Sequence, residues 1–156
     1  LNTHLHFDHT YGNAELAGKY NAPVLAGAAE KEIDNSPLTG GGIYGLPSVA
    51  PYTWEVIEPG EYQWLDCVWQ VFATPGHSPG SLTFYAESLG AAFVGDLIFR
   101  QSVGRTDFPG GSEAVLVRSV KQRIFTLPPE TVLYSGHGPK TTVEYEMRKN
   151  PYIPKD

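Results

Sequence analysis

A single cysteine, Cys67, is all the thiol chemistry this chain of 156 residues carries, so no internal disulfide holds it together. Cys67 lies among Trp64, Leu65, Val68, Trp69, Val71 and Phe72, and is expected to pack as a small buried hydrophobe. Basic residues are also scarce: 11 Lys and Arg stand against 17 Asp and Glu, for a net charge of −6. That balance argues against a nucleic acid partner, whose phosphates call for clustered cations. No apolar run approaches the ~18–20 residues that cross a bilayer, so no membrane partner is expected. The sequence contains no internal repeat and no low-complexity stretch. It opens on Leu1 rather than Met, so the natural N-terminus is expected upstream. A reducing, cytoplasmic setting is the expected location.

What is present suffices for one core. A hydrophobic content of 41% over 156 residues fits a single domain, 1–156, and is too little for two. Strand patterns are expected at Ala22–Ala26, Thr53–Ile57, Cys67–Thr74, Leu82–Tyr85, Ala91–Val94 and Thr131–Tyr134, bounded by Gly, Pro or Asp. Short helices are expected at Asn13–Tyr20 and Ala28–Asp34. A longer one should run from an N-cap at Ser112 to Phe125, with Leu116, Val120 and Ile124 on one face. Thr141 and Glu144 form a capping-box spacing that opens a last helix toward Lys149. The Gly- and Pro-rich stretch Ser36–Pro51 and the stretch Leu97–Gly111 read as loops, the first long enough to serve function. Strands and helices alternate throughout, which makes the fold class α/β.

The chemistry lies in the five histidines. His4, His6 and His9 share one stretch with Asp8, in the pattern His-x-His-x-Asp-His. His77 follows the strand ending at Thr74, His137 the strand ending at Tyr134, and Asp96 the strand ending at Val94. Loop positions at strand ends let side chains from distant parts of the chain meet. Imidazole and carboxylate are good ligands for zinc and neighbouring first-row metals. Any one of these histidines alone is most simply an exposed loop residue; the set, with its order and contexts, is a metal constellation. Its seven donors exceed the three or four that one zinc takes from a protein, so two divalent metals are expected, zinc first, iron or manganese next.

The stretch from His4 to His9, with His77, Asp96 and His137 in the same order, resembles the metallo-β-lactamase superfamily over nearly the whole chain. Gly76–Ser81 (GHSPGS), Gly104–Gly111 (GRTDFPGG) and Gly136–Pro139 (GHGP) are most similar to the short, single-domain bacterial glyoxalase II-like hydrolases. A β-lactamase of the common type has cysteine where this chain has Asp96, and the flavodiiron branch has glutamate where it has His6. The resemblance implies an αββα sandwich, with His4, His6 and His77 on one metal, Asp8, His9 and His137 on the other, and Asp96 bridging. Asp8 and Asp96 are the candidate catalytic residues, and a hydroxide shared by the metals is the expected nucleophile.

With every histidine a ligand, none is left to protonate a leaving group. That favours a thioester such as an S-2-hydroxyacylglutathione, because a thiolate leaves unprotonated. Arg100, Arg105 and Lys140 are the candidate contacts for an anionic substrate, with an Arg105–Asp107 pair as the competing role for Arg105. In this superfamily several strands precede the first metal motif, whereas here it begins at residue 4. The sandwich is therefore expected to be N-terminally incomplete, and a homo-oligomer through an exposed sheet edge is expected. Two other functions fit the sequence: a mononuclear-iron persulfide dioxygenase, whose family shares the Gly-Arg-Thr-Asp-Phe stretch, and a non-catalytic fragment that does not assemble the metal site.

Overall fold

The computed structural model describes residues 1–43 and 45–155. Strands β1 (Leu25–Ala26) and β2 (Glu55–Val56) form a small parallel pair. The main sheet is built from β3 (Gly60–Trp64), β4 (Cys67–Ala73), β5 (Leu82–Ala86), β6 (Ala91–Gly95), β9 (Val132–Ser135) and β10 (Thr141–Thr142), and β7 (Ile98–Phe99) and β8 (Ser102–Val103) make a separate hairpin. The order across the main sheet is β10-β9-β6-β5-β4-β3. Helices α1 (Asn13–Tyr20), α2 (Pro37–Gly40), α3 (Glu113–Ser119) and α4 (Val143–Lys149) complete the chain with short 3-10 turns.

Strand direction places the chemistry. β4 runs antiparallel to β5, and β5 antiparallel to β6, so β4 and β6 point the same way. β6 and β9 pair in parallel. All three therefore end at the same edge of the sheet, and the segments leaving those ends carry His77, Asp96 and His137. The parallel β6–β9 step needs a crossover, which α3 and the turn after it supply.

Two apolar clusters flank the sheet. On one face Tyr85, Ala92, Val94 and Leu133 pack with Leu116, Val120, Ile124 and Val143 from the helical side. On the other, Val71, Leu82 and Phe84 pack with Ile57 and with Leu25 of β1. Period-two alternation along β5 sends Leu82 and Phe84 into one cluster and Tyr85 into the other, and β5 is buried along its whole length. The result is the expected α/β layering of the αββα type.

Several local expectations change. The helix from Ser112 is α-helical only to Ser119 and then opens into a π-helical turn, Val120–Ile124, closed by Phe125 N–H donating to the Val120 carbonyl at 2.9 Å. The apolar face survives the change: Leu116, Val120 and Ile124 are all fully buried. Ser112 lends no side-chain cap; its backbone N–H is tied to the Gly76 carbonyl at 2.8 Å instead. The last helix is capped by Thr142, whose hydroxyl accepts from Tyr145 N–H at 3.2 Å, while Thr141 belongs to β10. The 97–111 segment is not all loop, since it holds the β7–β8 hairpin, and α2 interrupts the 36–51 stretch. Strand β3 has no counterpart in the sequence reading. Its hairpin turn is Leu65-Asp66, both at positive φ (51° and 58°), a two-residue turn without the Gly or Asn that normally announces one.

The α3 packing has a direct consequence. Replacing fully buried Leu116 with alanine should cost ~2–5 kcal/mol, the range for emptying a core leucine site. Urea denaturation of the two proteins measures it, and a loss under ~1 kcal/mol contradicts this packing.

Candidate metal centre

The N-terminal segment is sewn to the sheet before it reaches the site. Leu82 N–H donates to the Thr3 carbonyl at 2.7 Å, and Asn2 N–H donates to the Leu25 carbonyl at 2.8 Å. A 3-10 turn, Phe7–His9, then swings Asp8 and His9 over the same sheet edge. All seven predicted donors come together. His4, His6 and His77 form one group, His4, His9 and Asp96 a second, and Asp8, His9 and His137 a third, with ligand atoms in each within 4.8 Å of one another. The rings crowd: centroids are 4.1 Å apart for His4 and His9, 4.6 Å for His6 and His77, and 4.8 Å for His4 with either His6 or His77.

Surrounding groups decide which ring nitrogen faces inward. The Arg105 carbonyl, 2.8 Å from His77 Nδ1, can only accept, so Nδ1 carries the proton and Nε2 presents its lone pair. Thr3 Oγ1 engages His4 Nδ1 at 3.1 Å and leaves His4 Nε2 pointing into the cluster. His6 Nδ1 meets His77 Nε2 at 2.9 Å. On the outer side, His137 Nε2 lies 3.0 Å from Asp8 Oδ2, and His9 Nε2 lies 3.4 Å from Asp96 Oδ1. Asp96 also reaches His77 and His137, each at 3.6 Å through Oδ2, so it spans both groups of ligands.

Burial makes this arrangement costly by itself. The Nε2 atoms of His4 and His6 are buried without a hydrogen-bond partner, while His9 Nε2 and Asp96 Oδ1 have each other at 3.4 Å. Each such orphan costs about 1–3 kcal/mol. Burial holds His4 well below its ordinary pKa, helped by His9 and His77, and pushes His6 down to about 4. These rings are therefore neutral, and a neutral imidazole can offer a ring nitrogen to a metal. Burial also lowers His9, but pairing with Asp96 outweighs it and raises that ring; the same pairing overcomes burial and lowers Asp96. Lone pairs and carboxylates converging in a buried pocket fit divalent cations, and the donor set, nitrogen with carboxylate oxygen and no sulfur, suits zinc, iron or manganese.

The sequence model of the metallo-β-lactamase superfamily matches residues 1–137. The chain belongs to that superfamily. A probable metallo-hydrolase of Bacillus subtilis (strain 168), YqgX, is 36% identical over 156 residues, covering 98% of this chain and 74% of the relative. The hydroxyacylglutathione hydrolase GloC of Haemophilus influenzae is 31% identical, with 98% and 74% covered. Among solved structures, the BLEG-1 B3 metallo-β-lactamase superposes with a TM-score of 0.88 at 34% identity, over 98% of this chain and 75% of that one. TTHA1623 in a di-iron-bound form superposes at 0.85 with 38% identity, over 97% and 75%. The superfamily binds divalent metals, and its members related to this chain include metal-dependent hydrolases.

In this metallo-β-lactamase-type chain a cavity of about 460 Å³ is lined by the candidate ligands His6, Asp8, His77, Asp96 and His137. Its walls are Phe7, Leu38, Phe99 and Phe108, with Arg105 at the side. The aromatic walls carry no polar group and so have no mark in the sequence that sets them apart from core residues. The signal available was position alone, Phe7 inside the histidine motif and Phe108 in GRTDFPGG. Arg105 lines the cavity but is held by Asp107 through two 2.7 Å hydrogen bonds and lies over the Phe108 ring at 3.9 Å. The same bond to Arg105 lowers the Asp107 carboxyl to about 2. Arg100 and Lys140 are absent from the described lining; Arg100 stacks on Tyr145 at 5.0 Å and Lys140 is exposed.

Gly136 is a position where a change to a residue that is not itself a candidate ligand would press on two that are. A Cβ there would lie 2.2 Å from Asp96 Oδ1 and 2.6 Å from His9 Cε1. Gly136→Ala should leave melting of the metal-free protein nearly unchanged while lowering metal affinity at the His9 and Asp96 side by at least about tenfold, the scale of outer-shell disruption. Chelator competition reads it; unchanged affinity means the site is looser than this geometry.

Proposed function

We propose that the chain hydrolyses thioesters, S-2-hydroxyacylglutathione and related acyl thioesters being the substrate class. The observation that carries the proposal is the absence of a spare acid. Among the described residues lining the cavity, every group able to transfer a proton near neutral pH belongs to the metal cluster. A bond to nitrogen breaks slowly without a proton donor, whereas a thiolate departs without one. The likeness to GloC, a hydroxyacylglutathione hydrolase by name, supports the same reading.

Bound metals lower the pKa of water toward neutrality and polarise a carbonyl. The chain's own residues do the rest. Asp96, between both groups of histidines, would be the ligand common to the two ions, and Asp8, more open to the cavity, would hold the outer ion with His9 and His137. Phe7, Leu38, Phe99 and Phe108 exclude solvent and receive the apolar parts of the acyl or thiol group.

The test is turnover of S-D-lactoylglutathione by metal-loaded protein, set against an amide and a β-lactam of similar size. The thioester should react at least about a hundredfold faster, the usual value of a missing general acid. Equal or faster β-lactam cleavage would favour the chemistry named for BLEG-1 instead. One iron per chain with oxygen uptake on a persulfide would favour the dioxygenase.

A further inference from the structure

Glu30 is fully buried and belongs to no ligand group, yet it touches both limbs of the first metal site. It sits in the 3-10 turn Ala28–Glu32 after β1. Its Oε2 accepts the backbone N–H of Leu5, the residue between His4 and His6, at 2.7 Å. Its Oε1 accepts the Gly80 N–H at 2.9 Å and the hydroxyl of Ser78, the neighbour of His77, at 2.5 Å. Ser78 and Ser81 are joined at 2.6 Å, which extends the clamp around the His77 loop.

The contact is built in on both sides. A Cβ on Gly80 would lie 2.4 Å from Glu30 N, and one on Gly27 would lie 2.2 Å from the Gly80 carbonyl oxygen. Two glycines thus let the turn press against the His77 loop closely enough for one carboxylate to serve both segments.

We propose that Glu30 is a positioning residue: by tying Leu5 on one oxygen and Ser78 with Gly80 on the other, it fixes the His4–His6 limb against His77 and so sets the affinity of the first metal site. This rests on the metal-site reading above. Both oxygens must accept, because their backbone partners are N–H donors. Glutamine keeps the shape but offers one acceptor and an NH₂, so one strap faces a donor and is lost. Aspartate keeps both acceptors on a stem one methylene shorter.

The experiment is two-step chelator competition with zinc on wild type, Glu30→Gln and Glu30→Asp, with amide exchange at Leu5 and Gly80 followed in the metal-free proteins. Wild type should bind about two ions. In Glu30→Gln one ion should weaken by about 10- to 100-fold, the other should hold its affinity, and Leu5 or Gly80 should exchange faster. Glu30→Asp should recover part of the loss. Equal weakening of both ions, or a lowered melting temperature with both affinities intact, would make Glu30 a plain fold residue and overturn the proposal. A wild type that binds no zinc would instead overturn the metal-site reading itself, and the proposal with it.

Discussion

The arrangement on which everything else depends is the convergence of imidazole rings around His4. Three rings lie within 4.8 Å of it, centroid to centroid, and its own inward nitrogen is buried without a partner. Nothing in a protein interior favours such a meeting on its own account: inward ring nitrogens of His4 and His6 are buried with no hydrogen-bond partner. A cation supplies that partner to both at once. The fold therefore has to hold the donors together against that cost until the metal arrives. It does so with backbone hydrogen bonds from the sheet, with the carbonyl of Arg105 behind His77, and with the carboxylate of Glu30 between the two limbs.

The sheet accomplishes this by direction rather than by sequence proximity. β4, β6 and β9 all end at one edge, so residues 77, 96 and 137 meet although far apart along the chain. The apolar clusters on both faces keep those strand ends from shifting. The loop Gly104–Gly111 then serves two purposes: its backbone orients His77, and its Phe108 ring, 5.5 Å from His6, walls the cavity beside the cluster.

The donors were legible because their signal is local: a histidine or aspartate beside glycine at the end of an apolar run reads the same way in sequence as in space. The same holds for β4, β5 and β6, whose alternation is strong. What escaped has physical reasons. β3 is announced by no turn residue, because Leu65 and Asp66 occupy a left-handed turn that glycine or asparagine usually fills. The π-helical turn at Val120–Ile124 keeps the apolar spacing of an ordinary helix and leaves no trace in it. Glu30 looked like one more acid in a short helix; only the approach of Gly80 shows its three donors.

The most direct test of the central claim is metal content per chain by elemental analysis, on protein purified without chelator, with its melting temperature before and after chelation. About two zinc, iron or manganese ions per chain, and a clear fall in melting temperature on their removal, are what the buried, unpartnered donors require. No metal even after reconstitution, with melting indifferent to chelator, would contradict the account.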